Sequence, residues 1–483
     1  MLNRREFLGG SAAAAVATGM KSGTSRPNIV YILADNFYWN HVSAYGCKAI
    51  KTPHFDRVAR EGVLFTRAFC NSPSCSPSRA AMLTGQDIWR LEQGGNLWGE
   101  LPKKFPIYPD LLEKAGYWVG YAGKGYAPGS TAASGRKHNP AGPKFNEFGE
   151  FLLKRPKGKP FCFWYGGGDS NQFKAPVIKQ DVDLSSFEFP SYLPVVEETR
   201  NDFYQYFQRL RQFDSMIGTL LSELEATGEL HNTIIAVAAD NGGDQPGGYP
   251  NLYDSGTREF FAIRWGAQVP PGRTVSDFVT LADLAPTFLE AAGVVVPSDV
   301  TARSLMPILR STSSGQVDRS RTWVALGRER HAWARVGGMG YPMRALRNSG
   351  YLYVRNYEPD RWPAGDPGFN ALVQGYYGDV DQTESKWYIL KHKDELAMTP
   401  YYNRIFAKRP AEELFDVKAD PDQMQNLADD PRFYSVKKHM ATELTTHLKR
   451  TGDPRETGGT PLWDTYPYYN PIETMVGKYP TNR

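Results

Sequence analysis

The chain has 483 residues and a formal net charge of +4, with 56 Lys and Arg nearly balanced by 52 Asp and Glu. This length allows a large core and a second, smaller domain, because single cores stop growing well below it. The balanced charge without a Lys/Arg run argues against nucleic acid as a partner, and no stretch after the N-terminus is long and apolar enough for a membrane span.

Paired arginines, Arg4 and Arg5, precede a short stretch rich in Ala and Gly from Leu8 to Met20. The stretch is too short and too weakly apolar to cross a bilayer. It resembles a twin-arginine export signal, so we assign residues 1–22 to such a signal and expect a periplasmic or secreted protein. A frayed helix would not explain why the arginines precede the alanine run.

The first predicted element after this signal is a strand at 28–33, a β-branched apolar run that ends in Asp35-Asn36. Runs without polar alternation are typical of strands covered on both faces in parallel sheets. Similar runs occur at 118–121, 161–165 and 233–239, and the last of them ends in Asp240-Asn241. Amphipathic patterns predict helices between them, at 55–61, 107–115, 197–227 and 283–292. The alternation predicts an α/β fold with helices on both faces of a mixed, mostly parallel sheet.

The pattern changes beyond about Pro342 to shorter alternating runs at 344–347 and 351–355, with a predicted helix at 434–448. Short alternating strands are typical of a small antiparallel sheet with one solvated face. We therefore expect a larger domain over residues 26–341. A smaller C-terminal α+β domain with an irregular tail is expected over 342–483.

Residues 75–85 read Cys-Ser-Pro-Ser-Arg-Ala-Ala-Met-Leu-Thr-Gly and predict a helix with Cys75 at its start. The backbone N–H groups at a helix N-terminus favour an anion. Arg79 adds a guanidinium group suited to sulfate or phosphate. A lone cysteine is more often an inert buried thiol, so the interpretation depends on the whole string.

Two acid-amide pairs, Asp35-Asn36 and Asp240-Asn241, follow separate strands and could converge on one cation. Ligands that are all oxygen atoms favour calcium or magnesium over zinc, which prefers His and Cys. Either pair alone would be ordinary for a turn after a strand. Together with the Cys75 string they indicate a metal site.

The Cys75 string resembles the signature of the type I sulfatases of the alkaline-phosphatase-like superfamily, in which the cysteine is oxidised to formylglycine before folding. The resemblance implies an alkaline-phosphatase-like fold and a formylglycine-generating enzyme that acts before export. It also implies a calcium ion, with magnesium as the alternative. The implied ligands are Asp35, Asn36, Asp240, Asn241 and the side chain at Cys75.

By the mechanism of this family, one hydroxyl of the hydrated formylglycine attacks sulfur and forms a sulfated enzyme, and the second hydroxyl then expels sulfate. Arg79 and Lys124 are implied to hold the sulfate oxygens. Asn36 stands where relatives have a second aspartate, so the site carries one negative charge fewer and weaker metal affinity is expected.

Other segments, among them 192–214 and 251–256, resemble the heparan N-sulfatase (sulfamidase) branch and its bacterial polysaccharide-sulfatase relatives. The implied function is an exported sulfatase that acts on sulfate esters or N-sulfates of a sulfated polysaccharide or oligosaccharide. Two alternatives stay open at this point. One is a phosphonate or phosphodiester hydrolase of the same superfamily, and the other is a degenerate sulfatase fold that binds sulfated glycans without turnover.

Three further positions depart from the family pattern and, together with Asn36, motivate the second alternative. Tyr126 stands where many relatives have histidine, Asn171 ends a turn with Asp169 that usually ends in histidine, and Tyr249 lies near a usual lysine or arginine. We interpret these four residues as substrate-binding, together with Arg328.

The missing histidines leave the general acid unassigned and His331 as the best candidate for a catalytic histidine, with His41 next. His331 closes the segment Gly327-Arg328-Glu329-Arg330-His331. Adjacent arginines should lower its pKa, with Glu329 as a partial offset, and leave a neutral base. A surface charge cluster explains the same segment equally well.

The chain has four cysteines, at positions 47, 70, 75 and 162. If Cys75 becomes an aldehyde, at most one disulfide is available among the other three. Cys47 and Cys70 are the candidate pair in an oxidising compartment.

Overall fold

The structure is a computed structural model that describes residues 26–131, 134–167, 182–371 and 375–470. The predicted export signal lies outside the described residues, and so do Asp169 and Asn171. Within the described part, no helix has the length and apolar character needed to cross a membrane.

An eight-stranded sheet forms the centre of the larger region. Its strands are β1 (Asn28–Ala34), β2 (Val63–Phe69), β3 (Trp118–Gly123), β4 (Phe161–Gly167), β5 (Thr233–Ala239), β6 (Arg258–Arg264), β7 (Arg273–Val275) and β8 (Val279–Thr280). Their order is β3-β4-β1-β5-β6-β2-β7, with β8 also paired to β2. Strands β3, β4, β1 and β5 pair in parallel, and β6 is antiparallel to both β5 and β2.

Helices cover both faces of this sheet and make the larger region a three-layer α/β structure. The α-helices are α1 (Pro53–Arg60), α2 (Cys75–Thr84), α3 (Tyr108–Lys114), α4 (Phe148–Lys154), α5 (Glu197–Ala226), α6 (Asp254–Thr257), α7 (Leu284–Ala291), α8 (Met306–Arg310), α9 (Glu384–Lys391), α10 (Thr399–Ile405), α11 (Tyr434–Thr451) and α12 (Pro454–Thr457). Side chains of α1, α4 and α5 enter the core on one face, and those of α2, α3 and α7 enter the core on the other.

Strand β1 shows why the polar pairs lie where they do. All seven of its residues are buried, and alternate side chains enter the two cores on opposite faces. Ala34 at the end of β1 is in register with Ala239 at the end of parallel β5. The residues that follow, Asp35 and Asp240, therefore leave the sheet side by side at its carboxyl edge, where open α/β sheets bind ligands.

A second, four-stranded antiparallel sheet has the order β12-β11-β10-β9. Its strands are β9 (Trp323–Arg328), β10 (Met343–Asn348), β11 (Tyr351–Asn356) and β12 (Glu412–Asp416). Helix α11 packs on it through Met440, Leu444 and Leu448. Strand β9 belongs to this second sheet although it precedes residue 342, and Trp89 of the larger region packs into the same core. The domain boundary at 341/342 stays a prediction.

The α/β class with a small antiparallel sheet is confirmed. Strands β2 and β6 were not predicted from the sequence. They pair with each other antiparallel, whereas the predicted alternation of strands and helices is typical of parallel strands. The possible Cys47–Cys70 disulfide is wrong, because all four cysteines are free. Cys47 packs against the core on one face of the sheet, whereas Cys70 is buried in the core on the other face.

Candidate active site

Helix α2 begins with Cys75, directly after the extended residue Ser74, and ends at Gly85, whose φ of +70° is left-handed. All ten residues of the helix are buried. Ser78 donates a hydrogen bond of 2.6 Å to the carbonyl oxygen of Asp240. This bond ties the first turn of α2 to the end of β5 and places Cys75 over the carboxyl edge of the sheet.

The two predicted acid-amide pairs meet at Cys75. Ligand atoms of Asp35, Cys75 and Asp240 all lie within 4.8 Å of one another. Cys75 Sγ is 3.8 Å from both Asp35 Oδ1 and Asn36 Oδ1, and Asn241 Nδ2 donates to Asn36 Oδ1 at 2.6 Å. The structure therefore brings together all five residues that the sequence proposed as metal ligands.

Arg79 is wholly buried and donates only to protein oxygens among its described contacts. Its Nε and one terminal nitrogen contact Asp240 Oδ2 at 2.9 and 2.8 Å, and the latter also contacts Asp35 Oδ1 at 3.2 Å. The other terminal nitrogen donates to the carbonyl oxygens of Lys124 and Gly125 at 2.8 and 2.6 Å. In this arrangement Arg79 fixes the two carboxylates, whereas its predicted sulfate-holding role stays a prediction.

Lys124 follows β3 and donates from Nζ to Asp35 Oδ1. Its side chain is 19% exposed, whereas those of Arg79 and Asp35 are fully buried. Lys124 is thus the cation in this group that an incoming anion can reach.

Two oxygen atoms in the cluster have no hydrogen-bond partner, Asp35 Oδ2 and Asn241 Oδ1, although both are buried. Buried polar atoms without partners cost about 1–3 kcal/mol each, so native structures rarely leave them unmatched. Burial raises the pKa of Asp35, but Lys124 and Arg79 outweigh it and hold that pKa below its usual value. The result is an ionised carboxylate with an unmatched oxygen beside an amide oxygen, a donor set suited to a hard cation.

Burial raises the pKa of the Cys75 thiol well above its ordinary value, and the nearby Asp240 and Asp35 add to this against the opposing effect of Lys124. A thiol that stays protonated is a poor nucleophile. The position therefore suits a residue whose chemistry is not that of free cysteine.

His331 reaches the start of α2 from the segment after β9. Its Nδ1 is 2.8 Å from Ser74 Oγ, which explains why this N-terminal serine does not cap the helix. Burial lowers the pKa of His331 to about 3, with Arg328, Arg335 and Lys124 contributing and Asp379 opposing. The direction agrees with the prediction, but burial rather than the adjacent arginines is the main cause, and Asp379 has the offsetting role that we expected of Glu329. His41 instead lies in an aromatic cluster with Tyr206.

The three described substrate-binding candidates occupy different places. The ring of Tyr249 packs against His331 with centroids 5.4 Å apart, and its hydroxyl donates to Asp381. Tyr126 is buried with its hydroxyl 3.5 Å from the carbonyl oxygen of Gly99. Arg328 is paired with Asp379 at 2.5 Å. Tyr249 alone of these three is in contact with the group at the start of α2.

Sequence reasoning missed several residues that support the site. Ser74 directly precedes the Cys75 string and Ser78 lies within it, so their hydroxyls were visible signals without a predicted role. Asp379 and Asp381 lie far along the chain in a segment without a distinctive pattern. Nothing in the sequence pointed to them.

The sulfatase family profile matches residues 27–180 and 144–294, which together exceed half of the chain. The chain belongs to the sulfatase family. It is accordingly a sulfuric ester hydrolase, which confirms the enzyme class predicted from the Cys75 string.

Two relatives and one solved structure illustrate the similarity. An "Ulvan-active sulfatase" of Formosa agariphila is 26% identical over 478 residues, which cover 89% of this chain and 76% of that protein. The "N-sulphoglucosamine sulphohydrolase" of Homo sapiens is 28% identical over 500 residues, with 89% and 91% covered. A phosphonate monoester hydrolase from Silicibacter pomeroyi has a TM-score of 0.64 at 16% identity, covering 88% of this chain and 96% of that one. At this identity the last comparison supports the fold alone.

Proposed function

We propose that this protein is an exported sulfatase that removes sulfate from a sulfated polysaccharide or oligosaccharide, using a formylglycine made from Cys75 and a bound calcium ion. The catalytic part is proposed to span residues 26–341. Cys75 would be converted by a formylglycine-generating enzyme before export, and the mature protein would act in the periplasm or outside the cell.

The observation that carries this proposal is the convergence of Asp35, Asp240 and Cys75 around unmatched oxygens of Asp35 and Asn241. Arg79 and Lys124 offset the charge of the two buried carboxylates, yet one oxygen of Asp35 has no hydrogen-bond partner, which buried polar atoms rarely lack. The same donor set, with Asn36, fits a calcium ion, and magnesium is the alternative. When bound, such an ion supplies positive charge that favours an ionised nucleophile and offsets the charge of the sulfate group.

The residues of the chain divide the remaining work. Lys124, the exposed cation, would bind a sulfate oxygen and neutralise charge that develops during attack. Arg79 would keep Asp35 and Asp240 in place, and it contributes positive charge without leaving its buried position. His331, neutral and fixed by Ser74, would orient the start of α2 or accept a hydrogen bond from the substrate.

A sulfated carbohydrate is the proposed substrate class because the two relatives are named for ulvan and N-sulphoglucosamine. Exposed aromatic side chains such as Tyr376, 44% exposed, suit contacts with sugar rings. Asp169 and Asn171, outside the described residues, are proposed to contact the sugar together with Tyr126, Tyr249 and Arg328.

Peptide mass spectrometry over residues 71–90 of the exported protein tests the modification. We expect a mass lower than that of the cysteine peptide, as conversion of the thiol to an aldehyde requires. Sulfate release from ulvan and from N-sulphoglucosamine, measured by ion chromatography, tests the activity.

Cys75→Ala should lower sulfate release by about 10³-fold or more while the protein stays folded, because the nucleophile is lost. Cys162→Ala is the matched control, since Cys162 is an equally buried free cysteine on β4 and should keep the wild-type rate. Equal sulfate release by wild type and Cys75→Ala would contradict the proposal. Release of the phenol from an aryl phosphonate monoester, without sulfate release from the sulfated substrates, would favour the hydrolase alternative, and binding of ulvan without any turnover would favour a degenerate glycan-binding protein.

A further inference from the structure

A tyrosine-carboxylate pair lies beside the site, and the only role proposed for it so far is contact of its tyrosine with the sugar. The hydroxyl of Tyr249 donates to Asp381 Oδ2, and the ring of Tyr249 packs on His331. His331 in turn contacts Ser74, the residue before Cys75. A continuous set of contacts therefore joins Asp381, just before α9, to the start of α2.

Asp381 is surrounded by three charged groups from different elements. Burial raises the pKa of Asp381 to about 6 against the lowering effect of the hydrogen bond from Tyr249, and Asp244 adds to the rise, whereas Lys386 and Arg209 also lower the pKa. Lys386 Nζ is held by the carbonyl oxygens of Val380 and Tyr377 at 2.7 and 3.2 Å. Asp381 can therefore carry a proton near neutral pH, which an ordinary surface aspartate cannot.

The tyrosine keeps its own proton. Burial raises the pKa of Tyr249 well above its ordinary value, and the neighbouring Asp381 raises it further. When Asp381 is protonated, its O–H donates to the phenol oxygen, and the phenol O–H becomes available to another acceptor. Tyr249 is 7% exposed, and its ring contact with His331 links it to Ser74, the residue before Cys75.

We propose that Tyr249 is the general acid for the leaving group and that Asp381 resupplies its proton; this rests on the proposed sulfatase function. As the bond between sulfur and the leaving oxygen breaks, both bonding electrons stay on that oxygen. The oxygen takes the hydroxyl proton of Tyr249, and the phenol oxygen takes the proton of Asp381. Asp381 is left as a carboxylate and takes a new proton from water before the next turnover.

The other candidates near Cys75 are poorly suited to this task. His331 has a pKa lowered to about 3, so it carries no extra proton at neutral pH. Lys124 is engaged with Asp35, and its positive charge is needed to hold the sulfate. Tyr126 points its hydroxyl at the carbonyl oxygen of Gly99. The pair of Tyr249 and Asp381 combines a donor beside the site with a proton reserve behind it.

The test compares two probes of similar shape whose leaving groups differ in basicity, para-nitrophenyl sulfate and phenyl sulfate. Nitrophenolate is a weak base and leaves with little help, whereas phenolate gains much more from protonation. We expect Tyr249→Phe and Asp381→Asn each to lower kcat/KM for phenyl sulfate by about 10²-fold or more, and to lower it far less for para-nitrophenyl sulfate. The double variant should lose about as much as either single variant, because the two residues act as a unit.

The pH dependence gives a second readout that a merely structural role would not move. Asp381 must be protonated to act, so kcat/KM of the wild type for phenyl sulfate should fall as pH rises above about 6. Asp381→Asn should remove that decline, since an amide has no proton to lose in this range. Tyr357→Phe is the matched control, because Tyr357 makes a similar bond of 2.5 Å to Glu456 and should change neither probe.

An equal loss on both probes, or no loss on phenyl sulfate, would overturn this assignment of the general acid. A wild type that releases sulfate from neither probe, nor from ulvan or N-sulphoglucosamine, would instead contradict the proposed function itself.

Discussion

Two buried charge clusters in this molecule have similar composition, but only one of them provides a hydrogen-bond partner for every carboxylate oxygen. The cation cluster comprises Asp35, Asp240, Arg79 and Lys124. The arginine cluster beside the second sheet comprises Glu329, Asp453, Arg344 and Arg455. Each has two carboxylates and two cations and is almost wholly closed to solvent.

The arginine cluster is satisfied within itself. Arg344 contacts Asp453 and Glu329, each at 2.7 Å, and Arg455 contacts both oxygens of Glu329. The remaining oxygen of Asp453 accepts the backbone N–H of Arg455 at 3.0 Å. In the cation cluster, by contrast, Asp35 Oδ2 is without a partner. Of these two clusters, the cation cluster alone therefore has a carboxylate oxygen left for a further ligand, whereas the arginine cluster is complete in itself.

The largest expected effect on stability comes from breaking the arginine cluster. Arg344→Met removes the partner of two buried carboxylates, and we expect the free energy of unfolding to fall by about 3–5 kcal/mol. Urea denaturation followed by fluorescence measures this change. Arg432→Met is the control, because Arg432 pairs with Asp430 at the surface and should leave the denaturation midpoint unchanged. A negligible effect of Arg344→Met would mean that the satisfied cluster is not a stabilising one.

Calcium should stabilise the protein through the cation cluster. A calcium concentration of about 100 times the dissociation constant should raise the free energy of unfolding by about 2.7 kcal/mol, because the ion binds the folded state. Thermal unfolding with calcium and with a chelator measures the difference. The Arg344→Met variant should show the same increment as wild type, whereas Asp240→Asn should show none. An increment that survives in Asp240→Asn would place the ion elsewhere.

The smallest expected effect concerns Asn36, the position at which the family resemblance implies an aspartate. Asn36→Asp should tighten calcium binding by about tenfold, since it returns one negative charge to the ligand set. Aspartate tolerates the left-handed φ of 63° at this position, and its oxygen can still accept from Asn241 Nδ2. Isothermal titration of both forms measures the change. Weaker binding by the variant would show that Asn241 needs an uncharged neighbour.

Much of the fold and of the ligand set was predictable from local patterns. Strands β1 and β5 are continuous apolar runs, and the acid-amide pairs follow them directly. Parallel pairing in register then brings both pairs to one edge, so strand identity alone placed four of the five proposed ligands. The string at Cys75 supplied the fifth because its helix start is encoded within a few residues.

The supporting residues could not be predicted in the same way. Asp379 and Asp381 reach the site only through the packing of the segment before α9 against α5 and the second sheet. Glu329 was expected to offset the charge near His331, but Arg344 and Arg455 bind it instead. Which charged residues pair with one another depends on how segments far apart in the sequence pack together. The sequence alone does not give that packing.

The placement of β9 has a practical consequence for dissecting the protein. This strand pairs along its whole length with β10, and the segment directly after it carries His331 to Ser74. A fragment ending at residue 341 would keep β9 but lose the other three strands of its sheet, β10, β11 and β12. The segment that carries His331 would then follow a strand without its pairing partner, and the contact with Ser74 would lose its support. The shorter fragment would therefore be a poor substitute for the full chain in any assay.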